Sequence, residues 1–168
     1  GAMSFDGTDD YVEVGDDASL DITDEITVSA WIKYSVDPDD FNGIILRKGV
    51  AMYYLYSRTV SDELQFNLNV NAAHADILFS DLQPSTWYHI VGTYDKKNIR
   101  IYLNSVLKEE VAYTTAISTD NVSLFIGINN DLTLPFDGLI DDVKIYNYAR
   151  TGEEVRKDYN SGYGVYFR

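Results

Sequence analysis

The sequence lacks cysteine and contains only three prolines among its 168 residues. Without cysteine, disulfides, thiolate nucleophiles and sulfur-ligated metals are all excluded. No apolar run approaches the length of about 20 residues that a membrane-spanning helix needs, so membrane insertion is not expected. Hydrophobic residues still make up 45% of the chain and aromatic residues 14%. That content is sufficient for a domain of this length to bury its own core.

Basic residues are also scarce. The chain has 13 Lys and Arg against 27 Asp and Glu, which gives a formal net charge of −14. Such a charge repels phosphate backbones and anionic lipids, so nucleic acid is not an expected partner. Two interpretations of the acidic excess stay open: a well-solvated surface, or carboxylates gathered at loops to bind calcium, which prefers oxygen ligands.

Short segments with a period of two dominate the chain and are separated by Gly, Asn and Asp. This pattern is typical of an antiparallel sandwich, and its spacing predicts roughly ten to thirteen strands. The residues predicted to face the core are Val28, Ala30 and Ile32 in one strand, and Leu64, Phe66, Leu68 and Val70 in another. Residues 99–111 alternate on both sides of Asn104 and Ser105, which predicts a hairpin.

A single short helix is predicted near the C-terminal end. Thr151 is followed three residues later by Glu154, the spacing of a capping box. Val155 and Tyr159 then lie four residues apart, on one face of the helix. We expect this helix to cover the end of the sandwich.

Three segments together point to a known family. The first runs from SFDGTDDYVEV at 4–14 through SLDI at 19–22 to TVSAWIK at 27–33. The second is WYHIVGTYD at 87–95, followed by IYLN at 101–104. The third is FDGLIDDVKIYN at 136–147, leading into EEV at 153–155. In this order and at this spacing, the segments resemble the bacterial and archaeal laminin-G-like family of the concanavalin A-like lectin and glucanase superfamily.

The resemblance implies an all-β fold, an antiparallel two-sheet jelly-roll β-sandwich of the concanavalin A-like type with one short C-terminal helix. Residues 4–168 would form one laminin-G-like domain, and residues 1–3 are interpreted as the remnant of an expression tag. Trp31 and Trp87 lie inside the family pattern, which predicts core packing for both. Such domains serve as accessory modules of larger secreted or cell-surface proteins. An extracellular location, a polysaccharide or glycan partner and a monomeric isolated domain are therefore expected.

The segment 53–69 carries the side chains that sugar recognition requires. Aromatic rings stack on the apolar faces of pyranose rings, while amides or carboxylates bond the hydroxyls. The predicted ligand-binding residues are Tyr53, Tyr54 and Tyr56, followed by the outward row Gln65, Asn67 and Asn69. β-propensity disfavours such an amide row, which suggests a function for it. The alternative is that the row is a solvated outer face and that the tyrosines belong to the core.

Strict alternation places Asp141 on the same face as Val143 and Ile145, toward the core. A carboxylate there must be paired or ligated. Because the resemblance makes the first and last strands neighbours, one interpretation is a structural calcium ion. The predicted ligands are Asp6, Asp10 and Asp141. The other interpretation is that Asp141 accepts hydrogen bonds from backbone amides or from His89.

An acidic loop at 37–42 gives a second place where calcium would be compatible. Its oxygen-bearing residues are Asp37, Asp39, Asp40 and Asn42. The loop lacks the alternating ligands and distal Glu of an EF-hand, so a solvated loop is the simpler interpretation.

Catalysis is not expected from the carboxylate pattern. Glucanases of this superfamily place carboxylates alternately on one strand, so that two flank the sugar bond about 5 Å apart. No such run is present, and the adjacent Asp141 and Asp142 are predicted to point to opposite faces. The favoured function is a non-catalytic carbohydrate-binding module. A calcium-dependent protein-binding adhesion domain and, less favoured, a glycoside hydrolase remain the alternatives.

Overall fold

The computed structural model describes residues 1–37, 43–50, 52–69 and 72–162. Within these ranges the strands, in chain order, are β1 (Met3–Asp6), β2 (Val12–Val14), β3 (Ile26–Tyr34), β4 (Gly43–Lys48), β5 (Tyr53–Arg58), β6 (Glu63–Leu68), β7 (Ala73–Leu78), β8 (Tyr88–Tyr94), β9 (Asn98–Leu103), β10 (Val106–Ala112), β11 (Leu124–Ile126) and β12 (Asp137–Tyr146). One helix, α1 (Gly152–Gly162), follows β12. Short 3-10 turns occur at Ala18–Leu20 and Phe79–Asp81.

The strands form two six-stranded sheets that pack face to face. Sheet 1 has the order β1-β12-β3-β8-β9-β10, and sheet 2 has the order β2-β11-β4-β5-β6-β7. All pairings between neighbouring strands are antiparallel. This architecture confirms the predicted two-sheet sandwich. In the described ranges, no helix combines the length and the apolar character that crossing a bilayer would demand.

The core lies between the sheets and follows the alternation of the sequence. Val28, Ala30 and Ile32 of β3, and Leu64, Phe66 and Leu68 of β6, have no exposed surface. Val70 lies outside the described residues. The two sheets meet closely at Gly92 of β8, where a Cβ atom would stand 2.2 Å from Cγ of Phe66. Glycine is needed at this position because any side chain would displace that ring.

A β-bulge in β12 corrects one prediction. The register between β12 and β3 shifts between Asp141 and Lys144, and Asp142 has a φ of 48°. The extra residue lets Ile140, with no exposed surface, and Val143 both contact the core. Strict alternation was therefore the wrong assumption here. Asp141 faces outward, opposite Trp31 in the register, and does not face the core.

Helix α1 begins with the predicted capping box. The backbone N–H of Thr151 donates to Glu154 Oε2 at 2.8 Å, and the N–H of Glu154 donates to Thr151 Oγ1 at 3.3 Å. Each side chain thus satisfies an amide that the first helical turn leaves without a partner.

The helix packs on the outer face of sheet 1. The Tyr159 ring stacks on Trp31 with a centroid distance of 5.7 Å and an interplanar angle of 15°. Val155 has no exposed surface and forms a small second core with Val91 and Tyr102. Trp31, for which core packing was predicted, therefore packs beneath the helix and is not part of the main core between the sheets.

Candidate functional site

The outer face of sheet 2 gathers most of the chemically interesting side chains. Strand β6 buries Leu64, Phe66 and Leu68 in the core, so its alternate residues point outward, and the other strands of the sheet alternate in the same way. One group of outward residues lies on β11, β4 and β5 and directly before β2, and we name it the aromatic half: Tyr11, Arg47, Tyr54, Tyr56 and Phe125. On β6 and β7 we name the polar half: Glu63, Gln65, Asn67, His74 and Asp76.

The rings of the aromatic half form two contacting pairs. Tyr54 and Tyr56 have ring centroids 6.3 Å apart, and Tyr11 lies 6.0 Å from Phe125. The Arg47 guanidinium is 4.7 Å from the Tyr54 ring centroid, within the range of a cation–π interaction. Tyr54 is almost fully buried whereas Tyr11 is 45% exposed. The aromatic half therefore has fixed inner rings and an accessible outer one.

The polar half is a chain of side-chain hydrogen bonds. Asn67 Nδ2 donates to Gln65 Oε1 at 3.3 Å, and Gln65 Nε2 donates to Glu63 Oε2 at 3.2 Å. Beside them, His74 Nε2 lies 3.6 Å from Asp76 Oδ2. Gln65 and Asn67 are buried, while the side chains of His74 and Asp76 are 38% and 19% exposed. The amides form a floor, and the His74–Asp76 pair forms a partly exposed rim.

Asp76 is the perturbed carboxyl of this face. Burial raises the pKa of Asp76 to about 6, and the negative charges of Glu63 and Glu109 act in the same direction, while His74 opposes them. Glu109 belongs to β10, and its Oε2 accepts a hydrogen bond from the Asp76 backbone N–H at 2.7 Å. A carboxyl perturbed in this way beside a cluster of polar groups is typical of a functional site.

Sequence reasoning did not identify His74 and Asp76 as part of this face. They alternate with Ala75 and Ile77, which have no exposed surface. That alternation is visible in the sequence. Its position opposite Gln65 and Asn67, however, follows only from the β6–β7 register.

Four of the six predicted ligand residues share this face: Tyr54, Tyr56, Gln65 and Asn67. Tyr53 does not. As a neighbour of Tyr54 in β5 it points the other way, has no exposed surface and joins the main core. Its hydroxyl donates to the Leu20 carbonyl at 3.1 Å, and burial raises its pKa. Tyr53 is therefore a core residue.

Asn69 is likewise separated from the row. It follows the last residue of β6 with a φ of 53°. Its Nδ2 donates to Tyr113 Oη at 2.7 Å and to the Ala116 carbonyl at 2.9 Å, and its Oδ1 accepts from the Ser118 amide at 2.6 Å. These bonds use both amide hydrogens, so Asn69 fastens the segment 113–118 to the end of β6.

The residues predicted to bind calcium do not fit one site. Asp6 and Asp10 are close, since the Asp6 N–H donates to Asp10 Oδ2 at 3.1 Å. The β1–β12 register, however, pairs Asp6 with Asp137. Asp141 lies four residues further along β12, about 13 Å away. Across the described ranges, no group of three Asp, Glu or His side chains has a geometry suited to a metal.

The second predicted calcium site falls largely on undescribed residues. Of the acidic loop, Asp37 is described, while Asp39, Asp40 and Asn42 lie outside the described residues. Calcium binding by this loop therefore stays a prediction from the sequence.

Acidic groups at one end of the sandwich surround a buried lysine. Lys48 has no exposed surface. Its Nζ donates to Asp16 Oδ1 at 2.6 Å and to the Val122 carbonyl at 2.7 Å, and Asp21 Oδ1 lies 3.5 Å away. Burial of an ammonium requires such oxygen partners. The lysine thus neutralises part of the acidic excess here.

His89 occupies the outer face of sheet 1. Its ring lies 5.1 Å from Trp31 and 6.1 Å from Tyr159, between sheet and helix. Burial lowers the pKa of His89 to about 4, and Lys144 acts in the same direction while the acidic Asp158 opposes it. His89 is therefore neutral at physiological pH and serves as a packing ring.

Comparison with known proteins places the fold. A family model described as the concanavalin A-like lectin/glucanases superfamily, of the laminin-G type, matches residues 6–156. The chain belongs to this family. A search of curated proteins gives no significant match to this laminin-G-like domain.

Solved structures resemble the laminin-G-like domain over almost its full length. The ligand-binding domain of botulinum neurotoxin serotype D, in complex with N-acetylneuraminic acid, is 18% identical with a TM-score of 0.73. The match covers 94% of this chain and 41% of that one. A proposed carbohydrate-binding protein from Bacteroides ovatus is also 18% identical, with a TM-score of 0.73 and coverage of 94% and 47%. The chain spans less than half of each protein, and the likeness at this identity concerns the fold.

Proposed function

We propose that this laminin-G-like domain is a non-catalytic carbohydrate-binding module of a larger secreted or cell-surface protein, and that the outer face of sheet 2 is its binding face. The observation that carries the proposal is the side-by-side placement of the aromatic half and the polar half. Rings supply stacking surfaces for sugar rings, and amides and carboxyls supply partners for hydroxyls. Both are needed, and both lie on one rigid sheet.

The structural neighbours support this assignment. The serotype D structure holds N-acetylneuraminic acid, and the Bacteroides ovatus protein is itself proposed to bind carbohydrate. The ligand belongs to a chain of which the match covers 41%, so it supports sugar binding as a class without fixing the ligand.

The residues predicted to bind calcium lie outside this binding face. Asp6 and Asp10 lie in the β1–β2 region, and Asp141 lies on the outer face of sheet 1. A structural ion would stabilise the folded state by mass action. A structural calcium ion elsewhere in the domain stays a prediction, and a melting temperature that falls on chelation would support it.

Glycan arrays and isothermal titration calorimetry test the proposal. The partly exposed ring of Tyr56 is the variant of choice, because Tyr54 is buried. We expect Tyr56→Ala to weaken glycan binding about tenfold, the loss of roughly 1.4 kcal/mol of stacking. Tyr148, 40% exposed and located after β12, provides the matched control. Tyr148→Ala should bind as the wild type does, and equal binding by both variants would overturn the proposed face.

The hydrolase alternative predicts turnover of the bound glycan. It would use Asp76, whose raised pKa suits a general acid, with Glu63 as the second carboxyl. The amides at positions 65 and 67 of β6 do not offer the alternating carboxylates of that chemistry. We expect no product after prolonged incubation. Hydrolysis abolished by Asp76→Asn would replace the binding module with an enzyme.

A further inference from the structure

The polar half leaves two acceptor atoms without donors. Asn67 has no exposed surface, and its Oδ1 has no hydrogen-bond partner among the described residues. Asp76 Oδ1 is also buried and without a partner in the described ranges. A buried polar atom without a partner costs about 1–3 kcal/mol. Both atoms lie on the face proposed to bind sugar.

The hydrogen-bond chain explains why acceptors are left over. The amide N–H groups of Asn67 and Gln65 are directed along the strand to Gln65 Oε1 and Glu63 Oε2. Each amide nitrogen therefore already has an acceptor within the floor, whereas Asn67 Oδ1 and Asp76 Oδ1 have no donor among the described residues. These two acceptors are the unsatisfied atoms to which a ligand hydroxyl can donate.

The charge of the polar half is unfavourable for an anion. Glu63 and Glu109 both raise the pKa of Asp76, which shows that their negative potential reaches the same point. His74 Nε2 lies 3.6 Å from Asp76 Oδ2, and the His74 side chain is 38% exposed at the rim. A ligand carboxylate entering here would meet carboxylates in a partly desolvated setting, where like charges repel strongly.

The Arg47 guanidinium already donates to acceptors within the chain. Arg47 donates from Nε to the Gly49 carbonyl at 3.1 Å and from Nη2 to the Val50 carbonyl at 2.6 Å. Arg58 lies opposite Glu63 in the β5–β6 register. A bidentate clamp for a ligand carboxylate at Arg47 would require its guanidinium to leave the two carbonyls.

We propose that the binding face selects neutral, hydroxyl-rich glycans over sialylated or uronic ones, with sugar hydroxyls donating to Asn67 Oδ1 and Asp76 Oδ1. Because both atoms are buried, binding requires the side chains around them to move aside. This inference rests on the proposed function. Asn67 and Asp76 are diagonal neighbours across β6 and β7, because Asp76 pairs with Gln65. Diagonal positions lie about 7 Å apart, so hydroxyls of one sugar unit reach both. The selectivity would separate this domain from the neurotoxin structure that holds N-acetylneuraminic acid.

The test uses an array of neutral oligosaccharides beside the same oligosaccharides capped with N-acetylneuraminic acid or glucuronic acid, followed by calorimetry on the best matched pair. We expect the neutral member to bind at least about tenfold more tightly. Equal or tighter binding of the capped member overturns the inference and leaves the proposed function standing. Binding to no glycan overturns the proposed function, and the inference with it.

Two variants assign the selectivity to these residues. Asp76→Asn removes the charge while keeping an acceptor, so the preference for the neutral glycan should fall severalfold. Asp141→Asn removes a carboxylate from the outer face of sheet 1 and should leave the preference unchanged. Asn67→Leu removes the second acceptor and should weaken neutral binding about tenfold at an unchanged melting temperature. If Asp76→Asn and Asn67→Leu both fold and both retain wild-type binding and preference, the assignment is refuted.

Discussion

The outer faces of the two sheets differ in what covers them. On sheet 1 the chain supplies its own cover, because α1 places Tyr159 over Trp31 and His89. On sheet 2 the floor residue Asn67 has no exposed surface, and its Oδ1 has no donor among the described residues. Burial alone therefore does not distinguish a packing face from a binding face. A buried polar atom without a partner does not distinguish them either, since His89 Nδ1 on sheet 1 has none among the described residues. The two faces differ in that stacked rings under a helix dominate sheet 1, whereas amides and carboxyls accompany the rings on sheet 2.

The largest effect should come from removing the ring that joins sheet 1 to the helix. Trp31→Ala deletes an aromatic side chain stacked on Tyr159 and His89, and we expect a loss of about 3 kcal/mol in the free energy of unfolding. Tyr159→Phe, which keeps the stacked ring, should lose clearly less than Trp31→Ala. Urea denaturation measures both. Glycan affinity should be unchanged in each variant. A weakened affinity in Trp31→Ala would mean that the outer face of sheet 1 also contributes to glycan binding.

The next effect is a pH dependence that belongs to sheet 1. Burial lowers the pKa of His89 to about 4 in the folded state, against 6.5 for an ordinary histidine. The folded state therefore binds this proton less readily than the unfolded chain. The contribution of His89 is fully present above about pH 6.5 and is lost as the pH falls toward 4, by up to about 3 kcal/mol.

His89→Gln isolates this contribution. Its unfolding free energy should fall less steeply than that of the wild type between pH 6.5 and 4, as measured by denaturant titration at several pH values. If the two slopes are identical, His89 is not the buried titrating group. The neutral form of His89 would then make no pH-dependent contribution to the free energy of unfolding.

Alternation and local capping explain why much of the fold was predictable. The buried faces of β3 and β6, the β9–β10 hairpin and the cap at Thr151 each depend on residues close together in the chain. The bulge at Asp142 was not predictable, because a single extra residue reverses which neighbour faces inward.

The candidate site was predicted in part for the same reason. In β5, apolar or aromatic side chains occupy both faces, so periodicity did not show that Tyr54 faces outward and Tyr53 inward. Asn69 left the row because its positive φ ends the strand. The His74–Asp76 pair required the register of a neighbouring strand, which is a long-range property of the fold.

A smaller effect, opposite in sign to that of His89, should arise on sheet 2. The pKa of Asp76 is raised to about 6, above the ordinary 3.8, so the folded state holds its proton more tightly than the unfolded chain. Its stabilising contribution is present below about pH 4 and is lost as the pH rises through 6. We expect about 1 kcal/mol, because partial exposure and the coupling to His74 reduce the full shift. Asp76→Asn should remove this slope in denaturant titrations, whereas Asp141→Asn should retain it.

The smallest change in stability should come from the most deeply buried polar residue of the binding face. Asn67→Leu loses the bond to Gln65 Oε1 but also removes an Oδ1 atom that is buried without a partner among the described residues. The gain from removing that atom is offset because Gln65 Oε1, which is also buried, loses its donor, so we expect a net change of about 1 kcal/mol or less in urea denaturation. A side chain with no exposed surface would ordinarily cost more. A loss as large as that of Trp31→Ala would mean that Asn67 holds the sheet together, and the two outer faces would then differ in composition but not in role.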